Sequence, residues 1–155
     1  MHRLSNPLLI CWTATTKTLQ TLPGVKHVTL RQLLALHLLL IQKYGGSNGV
    51  RDMGRLESVI AAQSQHIFGT ELYPTVLLKA AALCRGIIGD HPFVDGNKRT
   101  AMLAALVILR ENGYQITAKQ GEIEDFAVKV AVDHLSVEQI ADWLNRHHTY
   151  APPYN

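Results

Sequence analysis

The sequence predicts an all-α domain of about six helices around a buried central one, with little or no strand. Three observations lead there. The stretch Ala101-Met-Leu-Ala-Ala-Leu-Val-Ile-Leu109 is apolar on nearly every side, the pattern of a helix inside a core rather than one lying on it. Several flanking segments carry their apolar residues at helical spacing instead, and two open with the Ser/Thr-x-x-Gln spacing of a capping box. At 155 residues the chain has the length of one ordinary domain, enough to bury a core without disulfides or structural metals.

Taken in order, residues 1–25 form an extension rich in Thr and closed by Pro23-Gly24, with no sustained helical period, so an irregular or poorly ordered segment is expected. Within it Pro7-Leu-Leu-Ile-Cys-Trp12, preceded by His2 and Arg3, is too short for a signal-peptide core and lacks a small-residue cleavage site. The first helix is expected from Leu30 to about Tyr44, opened by Thr29-Leu-Arg-Gln32 and stopped by Gly45-Gly46. Gly45 to Gly54 reads as an exposed loop whose glycines allow unusual backbone angles near a ligand or partner. A second helix fits Arg55 to about Gln65, with Leu56, Val59 and Ile60 at helical spacing. A third begins at Pro74 and runs to Gly89, after which Gly89-Asp90 turns the chain into His91.

The apolar central helix follows and closes at Asn112-Gly113, residue types suited to a left-handed end. Tyr114 to Thr117 reads as extended, and Glu122 to about Asp133 as a further amphipathic helix. Ser136-Val-Glu-Gln139 opens the last helix, which carries Ile140, Trp143 and Leu144, and Tyr150-Ala-Pro-Pro ends the order. The domain is thus expected over 26–148, with a tail at 149–155.

A net charge of +3 with its basic residues scattered makes only a weak case for nucleic acid as a direct ligand. Cys11 and Cys84 lie far apart without Cys-x-x-Cys spacing, which suits a reducing cytoplasm, and Cys84 falls in an apolar helical pattern as a small buried hydrophobe. The longest apolar run, Leu33 to Ile41, is too short for a bilayer and is interrupted by His37. A cytoplasmic protein with no membrane partner is the expectation.

The chemistry concentrates in His91-Pro-Phe-Val-Asp-Gly-Asn-Lys-Arg-Thr100, which joins polar, reactive side chains to the start of the buried helix. A helix's first turn offers unpartnered N–H groups and a partial positive charge, a natural dock for phosphate. Gly96 permits close approach to the main chain, Lys98 and Arg99 add full charges, Asp95 could hold magnesium, and His91 could act as a general base. Such a set can move a phosphate-containing group. Each residue alone also has a plainer reading: Asn97 as a cap, Lys98 and Arg99 as solvated charges, His91 as a loop residue. His91 and Asp95 make a weak zinc pair, and Lys98-Arg-Thr100 lacks the glycine order of a P-loop. Elsewhere His37 and His66 read as packed or hydrogen-bonded, His147-His148 as solvated and Trp143 as core. Asp52 and Arg55 either cap the loop or position a target.

HPFVDGNKRT resembles the signature of the Fic/Doc superfamily, and its Asn-Lys-Arg form is closer to death-on-curing (Doc) toxins than to typical Fic adenylyltransferases. Similar stretches are LHLLLIQKYGGSNGVRDMGRLES, the Tyr73-Pro74 helix start, LRENGYQI and VDHLSVEQIADWL, so the resemblance covers Lys26 to His147. It implies a helical bundle with the active loop between two central helices, and ATP-dependent transfer onto a hydroxyl of a target protein. By the same resemblance His91 is the base, Asp95 the Mg2+ ligand, the Gly96-Asn97 backbone and Asn97 side chain an anion nest, and Lys98 and Arg99 the phosphate holders.

Two positions refine that expectation. Typical adenylyltransferring motifs have Gly where this chain has Lys98 and a second Arg where it has Met102. In Doc toxins a similar pattern goes with ATP bound in the reverse sense, so the resemblance implies transfer of the γ-phosphate, with a threonine of elongation factor Tu as target and arrest of translation as outcome. Adenylylation by the same site is the alternative, and a catalytically silent nucleotide- or partner-binding module the second. Some Fic proteins carry an inhibitory Ser/Thr-x-x-x-Glu-Gly/Asn helix. Glu111-Asn112 comes closest here, but Val107 stands where Ser or Thr should be, so restraint by a separate, Phd-like antitoxin is expected.

Overall fold

The structure is a computed structural model that describes residues 24–151. The expectations for Pro7–Trp12, for Cys11, for most of the extension and for residues 152–155 lie outside the described residues. Six helices occur among the described residues: α1 Leu30–Tyr44, α2 Met53–Ala62, α3 Val76–Asp90, α4 Asn97–Glu111, α5 Gln120–Val132 and α6 Val137–Arg146. Two short antiparallel strand pairs complete the order, β1 His66–Ile67 with β2 Thr70–Glu71, and β3 Tyr114–Ile116 with β4 His148–Tyr150. The fold is mostly helical, as its sequence predicts.

Local chemistry sets most of the boundaries. Thr29 caps α1 in a full capping box with Gln32, and Ser136 does the same for α6 with Gln139. Helix α2 starts two residues before the expected Arg55, because the Asp52 side chain accepts from the Arg55 N–H at 3.0 Å and so becomes its cap. It stops at Ala62, and Gln63 leaves the helix to bond both the N–H and the carbonyl of Val28 at 2.9 Å through its side-chain amide. Helix α3 begins at Val76, two residues after the expected Pro74, with Thr75 as its cap. Between α2 and α3 the chain makes a hairpin across Phe68-Gly69, with positive φ at both residues (49° and 79°) as a tight two-residue turn requires.

Helix α4 lies at the centre, touching α1, α3, α5 and β3. Ala101 to Ala105 and Val107 to Leu109 are all buried along it, and Leu83, Ile87, Leu36, Leu40 and Phe126 fill the facing surfaces. Truncating one such leucine to alanine removes about 2–5 kcal/mol. Cys84 is buried against Met102, the sulfurs 3.6 Å apart, and burial pushes its thiol up to about 12.

Two histidines differ from their sequence reading, and one lysine is buried. Lys79, only 1% exposed, sits among apolar α3 residues; its ammonium donates to the Gln63 carbonyl at 2.7 Å and forms an ion pair with Glu71. His147 and His148, expected in solvent, are half-buried. Their Nδ1 atoms lie 2.7 Å from the Trp143 carbonyl and 3.3 Å from that of Leu144, at the end of α6, where the Leu144 carbonyl also accepts from the His147 N–H at 3.2 Å. His148 then enters β4, whose register places Tyr150 beside Tyr114, so the chain is still paired at Tyr150.

Candidate active site

Helix α3 ends and α4 begins on opposite sides of the loop His91–Gly96. His91 is the C-cap of α3 at φ 47° and ψ 55°, a left-handed backbone that costs a non-glycine residue about 1–2 kcal/mol. Phe93 is fully buried and stacks on the His37 ring, centroids 3.9 Å apart and planes 15° from parallel. The Asn97 side chain is bonded to Phe93 at both ends: Oδ1 accepts from the Phe93 N–H and Nδ2 donates to its carbonyl, each at 3.0 Å. Gly96 takes φ 74° to start α4, and a Cβ there would stand 3.3 Å from Ile41 Cδ1 and 3.7 Å from His37 Cε1.

The segment 49–55 is laid across this loop. Val50 bridges Phe93 in antiparallel fashion, and the Val94 N–H donates to the Gly49 carbonyl at 3.0 Å. The N–H groups of Arg51 and Asp52 donate to the Pro92 carbonyl at 2.7 and 3.1 Å. Arg51 also donates from Nε at 3.0 Å and Nη2 at 2.7 Å to the His91 carbonyl, and Arg55 Nη1 reaches that of Asp90 at 3.0 Å. Arg55 stays within 3.3 Å of the Asp52 carboxylate, so of the two sequence readings of this pair the capping one describes its contacts.

Helix α4 has no side-chain cap, unlike α1, α2, α3 and α6, where Thr29, Asp52, Thr75 and Ser136 accept from the first turn; it also has no acidic residue in that turn. Its mouth therefore presents open N–H groups and the positive end of the helix dipole. Lys98 and Arg99 are exposed there, the Arg99 guanidinium 5.3 Å from the centroid of the Tyr44 ring, within cation–π range.

Asp95 is exposed and accepts from the Gly96 N–H at 2.6 Å and the Ser47 N–H at 3.3 Å. These backbone donors, Gly96 first, hold its carboxyl below the ordinary carboxylate range, and the Arg99 charge adds to the effect. Below the loop His37 is 2% exposed, with Nδ1 3.2 Å from Thr100 Oγ1 and Nε2 buried without a hydrogen-bond partner among the described residues. Burial lowers its pKa, with Asp95 acting weakly the other way.

No cluster of three metal-ligating side chains occurs among the described residues. One ionised, exposed carboxylate beside an anion-binding helix mouth nonetheless fits a hard cation that keeps most of its waters and shares phosphate oxygens. Among described residues, no helix is long and apolar enough to cross a membrane.

The family described as Fic/DOC matches residues 27–109, which take in α1, α2, α3, the whole loop and most of α4. The chain belongs to this family. It is 36% identical over 122 residues to the protein kinase doc of Escherichia phage P1, an overlap covering 79% of this chain and 95% of that protein. It is 38% identical over 100 residues to the Toxin Doc of Mycolicibacterium smegmatis, covering 63% of this chain and 77% of the other.

All six motif residues singled out in the sequence, His91, Asp95, Gly96, Asn97, Lys98 and Arg99, lie on the Fic/DOC loop or in the first turn of α4. Asn97 is 8% exposed and its amide is engaged within the loop, so the α4 backbone, rather than that side chain, is left open at the helix mouth. Met102 is buried against Cys84 in the helix interface. Glu111 ends α4, about 22 Å along the helix from Gly96 at 1.5 Å per residue. Sequence reasoning missed Arg51 and Tyr44; no local pattern marks either, and only the register of segment 49–55 on the loop reveals the first.

Proposed function

We propose that this Fic/DOC chain is a Doc-like toxin that transfers the γ-phosphate of ATP to a Ser or Thr hydroxyl of a target protein. The observation that carries the reading is the uncapped mouth of α4, flanked by Lys98, Arg99 and the ionised Asp95, with His91 at the preceding helix end. Burial of Met102 supports phosphate over AMP as the transferred group, because a thioether stands where typical adenylyltransferring motifs carry a second arginine. The printed names of the two relatives, a protein kinase and a toxin, point the same way. By family resemblance the target is elongation factor Tu and the outcome is arrest of translation in the cytoplasm.

In this reading the N–H groups of the α4 first turn, Lys98 and Arg99 orient the phosphates and take up the charge that develops on them. The Tyr44 ring steadies the Arg99 guanidinium from one side. His91 accepts the proton of the target hydroxyl as its oxygen bonds to the γ-phosphorus, and the bond from that phosphorus to the β,γ-bridging oxygen breaks to release ADP. Asp95 would hold Mg2+, which when bound supplies charge neutralisation across the phosphate oxygens. With Glu111 at the far end of α4, restraint falls to a separate antitoxin protein rather than to this helix.

The test is incubation of the protein, with a His91→Ala control, in cell extract containing ATP labelled at the α or the γ phosphate. Protein labelled only from γ, and only with His91 present, is the expected result. Label from α would replace the kinase reading by adenylylation. No His91-dependent label from either, in an extract whose translation the wild-type protein arrests, would leave a binding module.

A further inference from the structure

We propose that Arg51 is a positioning residue for His91, its guanidinium holding the His91 carbonyl so that this residue keeps the left-handed backbone from which its imidazole serves the site. At the end of α3 three successive carbonyls, those of Asp90, His91 and Pro92, all receive donors from the segment 51–55. The middle one alone is gripped by two nitrogens of a single side chain, Nε at 3.0 Å and Nη2 at 2.7 Å.

That grip falls where the backbone most needs it. His91 has φ 47° without being glycine, and it precedes a proline. A residue before proline is pushed toward extended conformations by the ring's Cδ, so the intrinsic preference of His91 opposes the conformation found. Such a backbone persists only where its surroundings over-determine it. On the N-terminal side the peptide is held by one bond at 3.3 Å, from the His91 N–H to the Ile87 carbonyl, and by one at 3.0 Å, from Arg55 Nη1 to the Asp90 carbonyl. The stronger constraint is on the carbonyl, and it comes from Arg51.

The Arg51 main-chain N–H bonds the Pro92 carbonyl whatever side chain follows, so a substitution removes the clamp while leaving the segment docked. Lysine keeps the charge but cannot reproduce two parallel donors. Arg51 acts through the His91 backbone and not on nucleotide or target, and its effect on rate rests on the reading of His91 as the base.

The experiment uses the full chain as wild type, Arg51→Ala and Arg51→Lys, with two readouts. The first is NMR of the His91 backbone, through its HN–Hα coupling and carbon shifts, which report its φ whether or not the protein is active. The second is the initial rate of His91-dependent label transfer as a function of ATP. Arg51→Ala should shift the His91 signals toward extended values and lower the maximal rate about 10- to 100-fold, with the ATP concentration for half-maximal rate unchanged. Arg51→Lys should fall between. Unmoved His91 signals in folded Arg51→Ala overturn the proposal, as do moved signals with an undiminished rate, or a loss expressed in ATP affinity rather than maximal rate. If the alanine variant does not fold, the lysine variant is judged by the same criteria. Should wild type transfer no label, the proposed function fails, while the NMR readout still decides whether Arg51 sets the His91 backbone.

Discussion

Asn97 is joined to Phe93 by two reciprocal hydrogen bonds of 3.0 Å, so the first residue of α4 fixes both polar groups of a fully buried residue four positions earlier. The loop carrying Asp95 and Gly96 is therefore closed on itself before any ligand arrives. Asn97→Ala would leave a buried N–H and a buried carbonyl without partners, a loss of about 2–4 kcal/mol. Asn97→Asp keeps the acceptor and loses the donor, so it should cost less. Urea unfolding of the three proteins checks that order; equal stability of wild type and the alanine variant would refute it.

The next prediction concerns Gly46, which packs against the site from the α1 side. It has φ 111°, and a Cβ there would run into the Asp95 carboxylate and stand 3.2 Å from Ile41 Cδ1. Gly46→Ala should displace Asp95 and, with Asp95 as the proposed Mg2+ ligand, weaken Mg2+-dependent ATP binding about tenfold or more, the usual effect of disturbing a metal ligand's support. Gly45 is the control, with φ 79° but nothing within 4 Å of a Cβ. Calorimetric Mg2+ titrations that show no difference between the two variants would dissociate Gly46 from the proposed Mg2+ site.

A third prediction separates chemistry from folding. His91 is exposed at the helix end, and its side chain makes no hydrogen bond among the described residues, so His91→Ala should leave the thermal midpoint nearly unchanged. Loss of a general base should lower transfer about 100- to 10,000-fold. Normal turnover by the folded variant would remove His91 from the mechanism.

How much of this was legible in the sequence depends on the range of the interaction. Thr29 with Gln32 and Ser136 with Gln139 lie three residues apart, and such caps were readable directly. Asp52 was legible as a cap, yet Gly54 in the first turn made Met53-Gly54 look like loop and displaced the start of α2. The hairpin 66–71 escaped notice because two-residue strands carry no alternation. The motif residues of the site were all visible in one stretch. The contacts of Arg51 with His91, of Val50 with Phe93 and of β3 with β4 join residues far apart in the chain, and no spacing rule reaches them.

Lys79 is an example of the illegible kind, since a lysine in a helix is ordinarily solvated. Buried at 1% exposure, its ammonium links α3 to the Gln63 carbonyl and to Glu71 on β2, while its stem fills the space between them. Lys79→Ala should lose about 2–4 kcal/mol from the cavity and the unpaired carbonyl together, without changing ATP binding. Urea unfolding and ATP calorimetry on the same variant test both halves. A variant as stable as wild type would show the buried ammonium to be dispensable.

The last prediction follows from His37, which underlies the loop by stacking on Phe93 and reaching Thr100. Burial lowers its pKa below the ordinary 6.5, so the folded protein resists a proton that the unfolded chain accepts. Between those two values the unfolded state binds more protons, and stability rises with pH. The His37 contribution is complete above about 6.5 and is lost progressively below it, until the folded imidazole itself protonates. His27, lowered chiefly by burial and then by Lys79, acts with the same sign in the same window, whereas Asp95 titrates from its ordinary 3.8 downward. The share of His37 is therefore isolated by substitution. His37→Asn should be less stable at neutral pH for want of the Phe93 stack, yet its stability should fall less steeply between pH 6.5 and 5 than that of wild type. Unfolding curves across that range with identical slopes would mean that His37 is not the group through which acid loosens the loop.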